Sequence, residues 1–190
     1  MKSRKIRGAV VTEALLSMTI TSLVLLGSIV ALLVTLSGWY RGEARIQAEV
    51  EVQQALRYVR DTLREALYVE VDADREGVTY RLPKKDGDGN IIYPMVWDGV
   101  ERRFEITDGA ELVSISDGDK KVLLHDVVLT DTDGTDYDPF TPGNGAIIRQ
   151  LAVQLVTKRL LRECEDNPLD VAYGRCREIV VLRNAPSAGF

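Results

Sequence analysis

The spacing of hydrophobic positions changes twice along the chain, and each change marks a different environment. From Ala14 to Leu36 there are 23 residues without a charge, dominated by Leu, Val and Ile. As a helix rising about 1.5 Å per residue this run is roughly 35 Å long, enough for a bilayer core of about 30 Å. After Gly42 the pattern becomes amphipathic. Val52, Leu56, Val59, Leu63 and Leu67 recur on one helical face, while Arg45, Glu49, Glu51, Arg57, Arg60, Asp61, Arg64 and Glu65 occupy the others. No proline precedes Pro83, so a single helix from about Ala9 to Leu67 is allowed, with Gly38 and Gly42 as a place to bend. A coiled coil needs three or four sustained heptads, more than this run supplies, so the stripe asks instead for one partner surface, a sheet of the same chain.

Beyond Tyr68 the pattern shortens to strands separated by turn residues. The expected strands are Tyr68–Val71, Val78–Leu82, Ile91–Trp97, Arg102–Thr107, Glu111–Ser116, Val122–Leu129, Ile147–Val156 and Glu178–Leu182. Turns are expected at DGDGN (86–90), DG (108–109) and DGD (117–119), whose residues tolerate positive φ. Pro94 makes its run an edge strand or breaks it. The predicted class is α+β: a long N-terminal helix packed on a C-terminal antiparallel β-sheet head. Its segments are a basic start (1–8), an apolar helix (9–40), its amphipathic continuation (41–67), a β-rich head (68–184) and a loose tail (185–190).

Composition changes this picture in two ways. The formal charge of −5 comes from 24 basic and 29 acidic residues, yet the first eight residues hold Lys2, Arg4, Lys5 and Arg7 and no acid. The remainder, with 20 basic residues against the same 29 acidic ones, is a poor general binder of nucleic acid or anionic lipid. One histidine, His125, and two cysteines exclude a zinc finger, an HExxH protease and most triad chemistry, and no GxSxG, GxGxxG or GxxxxGK[ST] string occurs. His125 lies between Leu124 and Asp126 in an apolar run and reads as part of a strand. The chain leans away from an enzyme.

The basic start places the N-terminus in the cytoplasm; Trp39, Tyr40 and Arg41 follow the apolar run as an interface belt would, and residues 43–190 then lie outside the inner membrane. Three readings of the start compete. A cleaved secretory signal has an apolar region of 7–15 residues, shorter than this one. A plain signal anchor fits length and charge. The third reading rests on Gly8, which ends the basic leader, on AVVTEALLSMTITSLVLL after it, and on Glu13, the fifth residue after the glycine. An ionisable group in a membrane segment costs on the order of 2–3 kcal/mol or more and is a functional-site hypothesis by default.

This arrangement resembles the prepilin signal of type IV pilins and type II secretion pseudopilins. The resemblance implies cutting by prepilin peptidase between Gly8 and Ala9, N-methylation at Ala9, and a filament-assembly role for Glu13, paired with the freed amine of Ala9 on a neighbouring subunit. The family usually has Phe where Ala9 stands. The apolar run lacks the mid-segment proline of many major pilins, which fits minor pilins and pseudopilins. RYVRDTLREAL (57–67) and IVVLRN (179–184) are similar to PilW-like minor pilins and J-type minor pseudopilins. The implied function is structural: a subunit that primes, caps or decorates a type IV pilus or type II secretion pseudopilus, with other pilins and the inner-membrane assembly platform as partners. Pseudopilins that begin the tip often lack the fifth-position glutamate, so Glu13 argues against that role. Nucleic acid enters only in a competence role; the basic pairs at 102–103 and 120–121, and Lys158, Arg159 and Arg162, otherwise read as solvated faces. The rival reading is a single-pass anchored protein whose outer domain binds a ligand or partner.

Two constellations in the head remain. Asp131, Asp133, Asp136 and Asp138 supply four hard oxygens within eight residues, a calcium candidate or a solvated turn; counting from Asp131 the EF-hand positions fail. No other cofactor is expected. Cys164 and Cys176, outside the membrane, form a disulfide or remain two free thiols; a bridge closing about 13 residues contributes roughly 3 kcal/mol in the chain-entropy model. Many pilins carry a disulfide near the C-terminus, so the resemblance favours the bridge.

Overall fold

The computed structural model describes residues 3–143, 148–160 and 171–184, with side chains from Val11 onward except at Leu160. The chain forms one helix, α1 (Ser3–Arg64), then eight strands, and divides into two compact units at Glu43/Ala44. In the first unit α1 carries the apolar run. The second unit holds the amphipathic part of α1 and all the strands.

In the second unit the predicted stripe is the buried one: Val52, Leu56, Val59 and Leu63 are at most 1% exposed, with Ala48, Ala55 and Ala66 filling the gaps between turns. Two antiparallel sheets receive it. The larger is a meander in the order β1 (Tyr68–Val71), β2 (Gly77–Pro83), β3 (Trp97–Thr107), β4 (Glu111–Ser116), β5 (Asp119–Leu124). The smaller pairs β6 (Phe140–Pro142), β7 (Gln150–Leu160) and β8 (Val171–Val181). Val78, Tyr80, Phe104 and Leu112 of the first sheet and Phe140, Leu151, Leu155 and Val180 of the second join the helix stripe in one core. Tyr80 stacks on Phe104 at 4.8 Å, and Tyr58 meets the same ring edge-on at 6.1 Å. The α+β class with antiparallel sheets is as expected, in two sheets rather than one.

The helix starts at Ser3, before the expected Ala9, and stops at Arg64, short of Leu67. Its last turn closes with Glu65 N to Thr62 O and Ala66 N to Leu63 O, and Leu67 N then donates to Arg81 O at 2.8 Å. The β-forming YVEV run thus captures the chain for the sheet. Two carbonyls at the helix end are met by the far end of the chain: Arg183 N donates to Arg64 O and Asn184 Nδ2 to Glu65 O.

Several strand boundaries differ from expectation, each for a local reason. Ile91–Trp97 is not a strand: Ile91 makes one bridge to Lys85, Pro94 breaks the run, and β3 begins only at Trp97. Val122–Leu129 splits, because Asp126 turns the chain at φ 55° and Val127 bridges to Thr157 of the other sheet. β7 is shifted along the chain, running from Gln150 to Leu160, β8 begins at Val171 rather than Glu178 and ends at Val181 rather than Leu182, and three-residue β6 was not anticipated. The Asp117–Gly118 hairpin has φ of 53° and 86°, the double positive of a type I′ turn. In the loop 108–110 the left-handed residue is Ala110 (φ 56°), not the neighbouring Gly109.

Candidate functional site

In the first unit every side chain from Val11 to Leu36 is exposed, with Leu23 at 72% and Met18 at 70%. An apolar stretch of this size facing outward requires surroundings that are not water. Most of the hydroxyl side chains along it are self-satisfied. Thr19, Thr21, Ser22, Ser28, Thr35 and Ser37 each donate to a carbonyl three or four residues back, at 2.8–2.9 Å. In an apolar medium such back-bonding removes the cost of a free hydroxyl. Among the described residues α1 is the one helix long and apolar enough to cross a membrane, so a single N-terminal helix is available as an anchor. Glu13 is exposed on this surface and has no ion-pair partner among the described residues. Gly8 and Ala9 lie within the helical backbone of α1. Trp39 and Tyr40, 66% and 60% exposed, close the apolar stretch with ring centroids 6.0 Å apart.

In the head, the acidic loop is dispersed rather than convergent. Asp131 is nearly buried and takes Thr132 N (2.6 Å), Arg175 Nη1 (2.9 Å) and Gln154 Nε2 (3.4 Å). Asp133 accepts from the hydroxyl and amide of Thr135, which hold its carboxyl below the usual carboxylate range. Asp136 accepts from Thr130, and Asp138 pairs with Arg75. Each carboxylate has its own partner, and among the described residues no three His, Cys, Asp or Glu side chains converge as metal ligands. Cys176 is half-buried on β8, and burial pushes its thiol up; Cys164 lies outside the described residues, as do Arg162 and the 185–190 tail.

His125 is 69% exposed and sits 2.9 Å from Glu111, at the chain reversal after β5 rather than inside a strand. Most of the basic clusters are committed locally: Arg102 to Asp98 (2.7 Å), Arg103 to Asp72 and Glu105, Arg159 to Glu51 (2.9 Å), and Lys121 over the Tyr58 ring at 5.0 Å. A groove of about 470 Å³ runs beside Glu51, His125, Asp126 and Lys158. Its described lining carries both signs of charge.

Two structural features went unforeseen. Tyr137 is the stitch between the acidic loop and β7: its hydroxyl donates to Val128 O (2.6 Å) and accepts from Val156 N (3.0 Å), and burial pushes its pKa up to about 12. Gly174 lies where β8 crosses α1, and a Cβ there would stand 2.5 Å from the carbonyl carbon and oxygen of Ala48. The glycine inside an otherwise alternating strand was the available signal for such a close approach. No protein-family model, no curated protein and no solved structure matches the chain, so the functional reading rests on these residues alone.

Proposed function

We propose that the protein is a minor pilin or pseudopilin: a membrane-inserted subunit, trimmed by prepilin peptidase at Gly8–Ala9, whose apolar helix enters the core of a helical filament and whose head is displayed outside. One observation carries the reading. A basic leader ends in Gly8, and the outward-facing apolar helix after it bears one carboxylate, Glu13, with no ion-pair partner among the described residues. Lipid accommodates the apolar side chains, but a carboxylate near the membrane end of the helix is costly unless it reaches water or meets a cation. The amine freed at Ala9 of a neighbouring copy is such a cation, and a charge pair of this kind has register-setting as its best-attested use. Heterologous contacts repeated by one rotation and rise generate a filament. The head supports a structural role, since its carboxylates and bases are mostly spent on one another.

Mass spectrometry and N-terminal sequencing of the protein recovered from membranes and sheared fibres test this. The expected species begins at Ala9, N-methylated. A chain still beginning at Met1 in membranes and absent from fibres overturns the reading in favour of a single-pass anchored protein.

A further inference from the structure

The second unit has four strands at sheet margins, and three are blunted. β1 has four residues, β6 has three and ends in Pro142, and β5 carries Lys120 and Lys121. Short strands, prolines and lysines are the ordinary protections against unwanted pairing. β8 has none of them. It runs eleven residues in unbroken register with β7, about 36 Å, with no proline, lysine or bulge.

The register shows which backbone groups are free. Leu182 N donates to Arg149 O at 2.9 Å, and Val180 sits opposite Leu151. Even-numbered residues of β8 therefore turn N–H and C=O toward β7, and odd-numbered ones turn them away. Val171, Tyr173, Arg175, Arg177, Ile179 and Val181 make up this outer row, and none has a backbone–backbone hydrogen bond to another described residue. Their side chains share the outward face, where Ile179 is 63% and Val181 53% exposed. Arg175 is paired with Asp131, whereas Arg177 has no ion pair among the described residues.

We infer that the outer edge of β8 is a docking edge for an extended strand of a different polypeptide that carries carboxylates opposite Arg175 and Arg177 and apolar side chains opposite Ile179 and Val181. A strand added there satisfies the row of unmet N–H and C=O groups, and the side chains select it. The charge pattern disfavours a second copy of this chain. The three two-fold antiparallel registers with greatest overlap place Arg175 on Arg175, Arg177 on Arg177, or each on the other, and like charges directly opposite destabilise a ladder. This inference stands whether or not the leader is removed.

Two labelled nine-residue peptides serve as probes of the full chain in detergent micelles. Both have Thr at odd positions and Val at positions two and four; one has Glu at positions six and eight, the other Lys. By fluorescence anisotropy the Glu peptide is expected to bind saturably and at least tenfold tighter than the Lys peptide, and Arg177→Glu is expected to reverse that order. Ile179→Pro removes an N–H that points away from β7, so it is expected to abolish binding while the far-ultraviolet circular dichroism stays unchanged. By hydrogen exchange the amides of Arg175, Ile179 and Val181 become protected only when the Glu peptide is bound. Binding of neither peptide, equal binding of both, indifference to Arg177→Glu, or protection of those amides before peptide is added overturns the inference.

Discussion

Replacing Gly174 with alanine tests how closely helix and sheet are pressed together in the second unit. The added Cβ would stand 2.5 Å from Ala48 C, 2.5 Å from Ala48 O and 2.9 Å from Glu49 N. Attractive carbon contacts lie at about 3.5–4.0 Å, so β8 and α1 must separate locally by roughly 1 Å. Every atom met is backbone, so no rotamer change relieves the clash, and a shift of that size forfeits packing along the stripe from Ala48 to Val59. Overpacking of this kind costs about 1–3 kcal/mol, and a backbone collision belongs at the upper end. About 3 kcal/mol in a unit of roughly 150 residues lowers the melting temperature by about 6–12 °C. The assay is a thermal melt of the full chain in mild detergent, followed by Trp97 fluorescence in a Trp39→Phe background. Gly87→Ala is the control, since nothing lies within 4 Å of a Cβ there, and it is expected to melt like the parent. Adding Ala48→Gly to Gly174→Ala restores nothing, because the side chain of Ala48 is not what the new Cβ meets. A Gly174→Ala variant within about 0.5 kcal/mol of the parent, or one rescued by Ala48→Gly, would refute the close approach.

Other perturbations have equally definite outcomes. Tyr137→Phe leaves Val128 O and Val156 N without their shared hydroxyl and is expected to cost about 1–3 kcal/mol in a urea titration. Burial pushes both Tyr80 and Tyr137 up to about 12, so the neutral phenols favour the folded state. That contribution is complete below the unfolded tyrosine pKa near 10 and is lost as pH rises toward 12; absorbance at 295 nm should show late-titrating phenols, fewer in Tyr137→Phe. Ala110→Gly relieves a left-handed residue at φ 56° and is expected to gain about 0.5–1 kcal/mol, whereas Ala110→Val loses stability, both read from denaturation midpoints. Glu13→Gln keeps the helix apolar enough to insert but removes the charge, so membrane fractionation should be unchanged while recovery in sheared fibres falls at least tenfold.

Legibility followed the length of the periodic signal. The stripe of Val52, Leu56, Val59 and Leu63 was readable because a helix buries the same face for several turns, and the structure buries those residues almost completely. Glu111–Ser116 was read to the residue, since the turn signals at 108–109 and 117–119 bound it on both sides. Tyr68–Val71 was read to the residue where the helical stripe gives way to a β-branched run. What failed was decided by distant partners. Phe140–Pro142 is too short to carry a period and exists because Leu151, Ala152 and Val153 pair with it. Val127 leaves the run that contains it because Thr157, thirty residues on, offers a bridge. The acidic loop looked like a ligand set because spacing alone cannot reveal that Arg75, Thr135 and Arg175 reach its carboxylates first.

The two portions of α1 solve one problem in different ways. Burying a Leu, Ile or Val side chain contributes about 1.5–3 kcal/mol, so neither portion tolerates water along its apolar surface. In the second unit that surface is a single stripe, and the sheets of the same chain cover it completely. In the first unit the apolar surface runs all the way round, and every described side chain from Val11 to Leu36 is exposed. A one-sided stripe needs a fold, whereas an all-round apolar helix needs a medium, either lipid or a ring of like helices. Within Val11–Leu36 only Glu13 distinguishes the two media. Leucine and valine are equally at home in both, but a carboxylate gains a fixed cationic partner only among neighbours that each bring a free amine to the same depth. The chemistry of this segment is therefore concentrated at one residue, and the proposed filament reading stands or falls on what the Glu13 carboxylate meets.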